Sequence, residues 1–254
     1  MQIHFLRHAT FILKSKNIQL LVDPMLSPAG SMDPMLGAAS NKRIPMVKLP
    51  LSNEQLKQLL GQMAGVLITH RHRDHWDGEA KTLLPKDIQI FCQPADDARI
   101  RADGFKNVTP IHSEHVWEGI TFHRTGGEHG TGEIGKKMGT VSGFVLRAES
   151  EPTIYIAGDT IFCAQVADAV QNHKPDIVVV NAGGTSFLTG GPITMTSEDV
   201  AKVCRSRPSA RIVAVHMEVV NHCVETREDL RLFLEKESLL EQVLIPADGE
   251  VLKF

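Results

Sequence analysis

The sequence predicts a layered α/β fold, and three observations predict it. Short apolar runs of strand length recur along the chain, several end abruptly in a polar residue, and stretches with helical periodicity and capping residues fill the gaps between them. Ile154-Tyr155-Ile156-Ala157 runs into Gly158-Asp159, Ile177-Val178-Val179-Val180 into Asn181, and Ile212-Val213-Ala214-Val215 into His216. Two endings of the same kind lie in the first half, Leu20-Leu21-Val22 before Asp23 and Val66-Leu67-Ile68 before Thr69-His70. Ligand sites collect at the carboxyl ends of strands in layered α/β folds, so the five endings point to one functional edge.

The elements follow in order. Residues 2–23 carry three apolar runs separated by polar breaks, with a turn at Lys16-Asn17, and read as an antiparallel meander. Pro24 stops the third strand and leaves the Asp23 carboxylate at its end, where it either caps the turn or serves a site. Residues 24–50 are punctuated by proline and methionine without a sustained period. This long loop reads as a lid on the substrate side, or as a surface or subunit contact in a homo-oligomer. Ser52-Asn53-Glu54-Gln55 is a capping box opening a helix with Leu56, Leu59, Leu60 and Met63 on one face. A helix over 78–84, a strand over 88–91, a helix over 95–102 and a strand over 108–111 continue the rhythm. His112, His115 and His123 read as ordinary exposed histidines. Later helices open at Thr196-Ser197-Glu198-Asp199 and Thr226-Arg227-Glu228-Asp229, each with a capping oxygen followed three residues on by an acid.

With 254 residues the chain can bury a sizeable core, and no linker, repeat or low-complexity segment divides it, so residues 1–254 are read as a single domain. A hydrophobic fraction of 42% and a charged fraction of 22% are those of a globular protein, and a net charge of -3 offers no general attraction to nucleic acid or anionic lipid. No apolar run approaches the roughly 20 residues that span a bilayer. The opening residues 1–8 lack the charged-then-apolar layout of a secretion signal. The expectation is a cytoplasmic protein with a small-molecule partner, no nucleic acid and no membrane. Cys92, Cys163, Cys204 and Cys223 are scattered without a C-x-x-C pair and read as reduced thiols, with Cys223 set apart by its neighbour His222.

The chemistry concentrates at Thr69-His70-Arg71-His72-Arg73-Asp74-His75-Trp76-Asp77. If this segment leaves its strand extended, residues 70, 72 and 74 share one side. His70 and His72 can then bind one cation, while Asp74 and His75, at a bend into the next helix, serve a second. Further on, glycines at 126, 127 and 130 let the backbone bring His129 close to a metal, with Glu128 beside it as an alternative. There is no G-x-S-x-G elbow, Walker loop or Rossmann glycine fingerprint, so serine hydrolase, nucleotide kinase and dehydrogenase chemistries have no local support.

The H-x-H-x-D-H stretch resembles the signature of the metallo-β-lactamase-fold hydrolase superfamily, and Asp23, His129, Asp159 and His216 follow in that family's order. The resemblance implies a four-layer αββα sandwich, two mixed sheets with outer helices. It implies His70, His72 and His129 on a first cation, Asp74, His75 and His216 on a second, Asp159 bridging them, and Asp23 orienting the histidine loop. The cofactors would be two divalent ions, with zinc suiting the ligands best and manganese or iron as alternatives. His72 stands where oxygen-handling diiron members carry an acid, which favours hydrolysis. A hydroxide activated by the metal pair would attack a small-molecule ester or lactone, as in the L-ascorbate-6-phosphate lactonase-like branch, which Asp23-Pro24, residues 191–196 and residues 216–223 resemble. The alternative is a phosphodiesterase acting on a nucleotide, an RNA end or a phospholipid headgroup. A binding module that keeps only the fold would usually have lost ligands, and none is lost. Asp74 and His222 are the candidate catalytic residues, His222 as proton donor to a leaving alkoxide, while Arg227 either holds an anionic substrate group or sits on a helix surface.

Overall fold

The structure, a computed structural model, describes all 254 residues. Strands β1 (Gln2–Arg7), β2 (Thr10–Ser15) and β3 (Ile18–Val22) form the expected antiparallel meander. β3 then pairs in parallel with β4 (Gly65–Ile68), which continues in parallel to β5 (Gln89–Cys92) and β6 (Val108–Pro110). The second sheet repeats that plan. β7 (Glu114–Trp117), β8 (Ile120–Thr125), β9 (Gly143–Ala148) and β10 (Ile154–Ile156) are antiparallel neighbours. From β10 the pairing is parallel to β11 (Ile177–Asn181), β12 (Arg211–Val215) and β13 (Val243–Leu244). β14 (Val251–Lys253) returns to the first sheet beside β1, so each sheet has seven strands and is mixed.

Period-two alternation decides what each face packs against. Leu67, Val179 and Ile177 point into a layer of 20 buried residues between the sheets, with Phe5, Phe91, Phe122 and Phe144 among them. Their neighbours Val66 and Ile68 turn outward onto α1 (Asn53–Leu60), α2 (Gly78–Leu83) and α3 (Asp97–Ala102). Val178 and Val180 turn outward onto α5 (Ala164–His173), α6 (Ser197–Ser206) and α7 (Arg227–Lys236), which follow the short α4 (Gly132–Met138) in the chain. The result is the four-layer αββα sandwich. Each buried aliphatic side chain contributes roughly 1.5–3 kcal/mol, and a one-residue slip would turn every one of them to the wrong layer, so the register is strongly fixed.

Helix starts follow local chemistry. Ser52 and Gln55 close the capping box of α1, and Thr196 and Thr226 cap α6 and α7. The 95–102 expectation resolves into a 3-10 turn (Pro94–Asp96) leading into α3. Strands β7, β8, β9, β13 and β14 were not anticipated; β7 is a half-exposed edge, and β13 and β14 are too short to show a period. No helix is long and apolar enough to cross a membrane.

Residues 24–50 form neither helix nor strand beyond the isolated bridge Met32–Ile44. They are nonetheless anchored. The fully buried Arg7 guanidinium donates to the carbonyls of Met25 (2.7 Å), Ser27 (3.0 Å) and Val47 (2.8 Å). Met25 and Ile44 pack on Val219 and Val220, and the Asn221 side chain bonds both backbone groups of Met35. The loop is thereby fixed over the functional edge.

Candidate metal centre

The strand endings converge where the two sheets meet. Asp23 follows β3, His70 lies just beyond β4, Asp159 beyond β10 and His216 directly after β12, while His129 sits in the loop between β8 and α4. Asp23 (φ 41°) and His216 (φ 71°) occupy the left-handed region, which is uncommon for residues with a Cβ and is held here by the surrounding packing. Gly158 is needed for a similar reason. At φ 69° a Cβ there would lie 2.9 Å from the Ser142 carbonyl oxygen and 3.2 Å from Thr69 Cβ, so only glycine lets the Asp159 loop approach the histidine loop.

Asp159 is the hub. Its Oδ2 lies 3.2 Å from His75 Nε2, 3.6 Å from His129 Nε2 and 3.8 Å from His70 Nε2, and its Oδ1 lies 3.4 Å from His216 Nε2. Asn181, at the end of β11, donates from Nδ2 to Oδ1 at 2.6 Å and fixes the carboxylate plane. Asp74 Oδ2 is 3.7 Å from His216 Nε2 and 3.8 Å from His75 Nε2, and His72 Nδ1 is 3.3 Å from His129 Nε2. The donor atoms therefore gather as His70, His72 and His129 in one group and His8, Asp74, His75 and His216 in another, with His70, His75 and Asp159 as a third group between them.

Partners outside the cluster set which ring nitrogen faces inward. His75 Nδ1 donates to Asp23 Oδ2 at 2.9 Å, and Asp23 also accepts from the Thr69 amide (2.8 Å) and hydroxyl (2.7 Å). His129 Nδ1 donates to the Ile193 carbonyl at 2.7 Å. Each bond leaves Nε2 free to offer a lone pair, the arrangement found behind metal-binding histidines.

The electrostatics fit a cation. Burial pushes His70 well below its usual range, and His129 below it. Burial also works against ionising Asp74 and Asp159, yet His75 beside Asp74, and His216 and His75 beside Asp159, hold both carboxyls well below the usual range. Burial opposes protonation of His75 and His216 as well, but Asp159 leads the carboxylates that raise His75 well above its usual value and His216 to about 10. Two buried carboxylates thus draw positive charge onto the rings around them, and divalent cations would supply that charge at the same atoms. His70 Nε2 is buried with no hydrogen-bond partner. Such an atom costs about 1–3 kcal/mol, and a bound cation would satisfy it.

A pocket of about 180 Å³ opens onto the cluster, with His72, Asp74, His129 and Asp159 on its floor and Met35, Met138, Phe187, Ile193 and His222 on its walls. A larger cavity of about 870 Å³ lies between α1, α2 and residues 26–51, but it has no histidine and only one acid, Glu79, so the smaller pocket is where the chemistry sits. His222 is buried, stacks on Phe187 at 5.1 Å between ring centroids and belongs to none of the donor groups. Met35 puts residues 24–50 on the pocket side.

Other sequence candidates fall outside. Arg227 pairs with Glu218 (2.5 Å) and Asp248 (2.6 Å) and does not line the pocket, so it is committed to a structural ion-pair network rather than to an anionic substrate. Glu128, His112, His115 and His123 join no donor group, and His123 pairs with Glu114 at 3.0 Å. All four cysteines are free, and burial pushes Cys92 up to about 12 and Cys204 to about 11, as inert core thiols. Cys223 donates its Sγ–H to the His216 carbonyl. Sequence reasoning missed His8, which sits beside Asp74, His75 and His216. The available signal was the same as elsewhere: a polar residue directly after the strand Ile3-His4-Phe5-Leu6-Arg7.

Comparison with known proteins agrees with this architecture. Residues 19–217 match the model of the beta-lactamase superfamily domain. The chain is 39% identical, over all of both sequences, to the UPF0173 protein YddR of Bacillus subtilis. A crystal structure of a possible metal-dependent hydrolase from Veillonella parvula superposes with a TM-score of 0.95 at 35% identity, covering 100% of this chain and 99% of that one. The isothiocyanate hydrolase from Delia radicum gut bacteria superposes with a TM-score of 0.94 at 38% identity and the same coverage. The chain belongs to the β-lactamase superfamily, as a metal-dependent hydrolase of the metallo-β-lactamase fold.

Proposed function

We propose that the protein uses two divalent cations to hydrolyse a small, uncharged molecule at an electrophilic carbon. The observation that carries this reading is the division of the donor atoms into two groups with Asp159 within reach of both, on the floor of a pocket with largely apolar walls. His70, His72 and His129 would hold one cation and Asp74, His75 and His216 the other, with Asp159 shared. When bound, the pair supplies an activated water and polarises the bond under attack. Imidazole with carboxylate suits zinc best, and manganese and iron use the same ligands.

The chain's own groups do the remaining work. Asp23, Asn181 and the Ile193 carbonyl keep the ligands in place, and Met35, Met138, Phe187 and Ile193 enclose the substrate and exclude water. Burial pushes His222 down to about 4, so its ring enters the reaction neutral. In that form it acts by offering a ring N–H as a hydrogen bond to the leaving atom, rather than as the imidazolium a direct proton donor requires.

Isothiocyanates are the favoured substrate class, because a relative 38% identical over the full length is an isothiocyanate hydrolase. Water adds to the central carbon of R–N=C=S, and loss of carbonyl sulfide leaves the amine R–NH2. Such a molecule has no charge and an apolar substituent, which matches the pocket walls. A lactone or carboxyl ester is the second class, from the residues that resemble the lactonase-like branch. A phosphodiester is less well served, since the one arginine at the pocket, Arg73, donates to the Asp33 carbonyl (2.7 Å) and lies against the Met35 sulfur.

The test is an activity screen of zinc-loaded protein on allyl and benzyl isothiocyanate, simple lactones, p-nitrophenyl acetate and bis(p-nitrophenyl) phosphate, alongside elemental analysis. Two equivalents of metal and turnover of a carbon electrophile are expected. Turnover of the phosphodiester alone, or no specific metal uptake, would overturn the reading.

A further inference from the structure

We propose that His8 is a positioning residue of this centre, fixing the Asp74 carboxylate for the second cation without itself being a ligand. The inference rests on the two-cation reading above. His8 follows β1 in a left-handed conformation (φ 60°) and is fully buried. Its Nε2 lies 3.1 Å from Asp74 Oδ2, closer than the ring nitrogens of His75 or His216 come to that oxygen. Its ring lies against that of His216, with centroids 3.7 Å apart, and its carbonyl accepts the His216 amide at 2.9 Å. His8 therefore touches two other members of the donor group in which its own ring nitrogen lies, one through its side chain and one through its main chain.

The hydrogen-bond inventory assigns the role. A neutral imidazole carries one N–H and one lone pair. A lone pair on Nε2 would face the lone pairs of a carboxylate at 3.1 Å, so the proton belongs on Nε2, donated to Asp74 Oδ2. A protonated Nε2 cannot bind metal, and Nδ1 is buried without a partner, so nothing there competes for the proton. The other members of the group are already held. His75 is fixed by Asp23, and His216 by its main-chain bond to His8 and its place at the end of β12. His8 is the one hydrogen-bond donor that holds the Asp74 side chain. Without it the carboxylate is free to rotate, and a ligand that must be ordered when the metal arrives binds it less tightly.

The experiment compares wild type, His8→Leu and His8→Gln by zinc stoichiometry and by competition with a chromophoric chelator, with thermal unfolding in excess EDTA as the fold control. Glutamine can place an amide N–H near the position of Nε2, whereas leucine fills the space without a donor. His8→Leu should weaken the second zinc equivalent by roughly 10- to 100-fold and leave the first unchanged. His8→Gln should restore the second to within a few-fold of wild type. Wild-type affinity for both equivalents in His8→Leu would overturn the proposal, and so would loss of the second equivalent in both variants, which would make His8 a ligand. Should His8→Leu not fold, His8→Phe takes its place with the same expectations. Wild-type protein that binds fewer than two equivalents would instead overturn the two-cation reading, and this proposal with it.

Discussion

Replacing Asp23 by Asn separates the fold from the metal centre. Asp23 is buried, and its two oxygens accept from the Thr69 amide at 2.8 Å, the Thr69 hydroxyl at 2.7 Å and His75 Nδ1 at 2.9 Å. Asparagine has the same shape and tolerates the left-handed conformation at this position (φ 41°), so the backbone is not disturbed. The Thr69 amide needs an acceptor, which fixes the new carbonyl oxygen on Oδ1 and turns the new NH2 toward His75. Nδ1 of His75 must then accept, which confines the ring to a single proton on Nε2, 3.2 Å from Asp159 Oδ2. The metal-free protein loses one charge-assisted bond of about 1.5–3 kcal/mol and recovers part of it. A net loss near 1 kcal/mol lowers Tm by about 2–4 °C for a chain of this size. A cation, by contrast, now meets a protonated Nε2 whose proton has no other place on the ring. Metal affinity should fall by roughly 10- to 100-fold, as for other changes behind a metal-binding histidine. Chelator competition measures the affinity, and unfolding in excess EDTA measures the metal-free stability. Affinity within about twofold of wild type would refute the tautomer argument. So would a metal-free protein destabilised by more than about 4 kcal/mol, a loss on the scale of breaking a buried ion pair.

Further substitutions test the other assignments. His216→Ala should lose or weaken the second metal equivalent and activity together, whereas His222→Ala should keep both metals and lower the rate by about 10²–10³-fold, the loss expected for one hydrogen-bond donor to the leaving atom; metal analysis showing the reverse would exchange their roles. Arg227→Ala should leave KM unchanged and cost roughly 1–2 kcal/mol of stability, because its pairs with Glu218 and Asp248 are only partly shielded from solvent; a raised KM without a lower Tm would return it to the substrate. Leu67→Ala, in the layer between the sheets, should cost about 2–5 kcal/mol in denaturant titration, and a loss below 1 kcal/mol would mean that the layer repacks around the gap.

Much of the molecule is written locally. The meander of residues 2–23, the capped starts of α1, α6 and α7, and the polar residues after β3, β4, β10 and β12 are legible because each depends on period-two burial, capping oxygens or the abrupt end of an apolar run. The spacing of His70, His72, Asp74 and His75 belongs to one short segment and can be read without knowing the fold. Other features had no local signature. β13 and β14 are strands only because a neighbour completes their ladders, and no residue near Arg7 in sequence shows that residues 24–50 fold over it. The distance from His8 to Asp74 spans 66 positions of sequence, and the partner of Arg227 across 21 positions is Asp248. Period and capping are properties of neighbouring residues, so the sequence by itself determined which elements form and which side chains stand at their ends. Which of those ends meet, which ring nitrogen is left free and which charge is already paired depend on contacts between distant segments, and only the packing of the two sheets decided them.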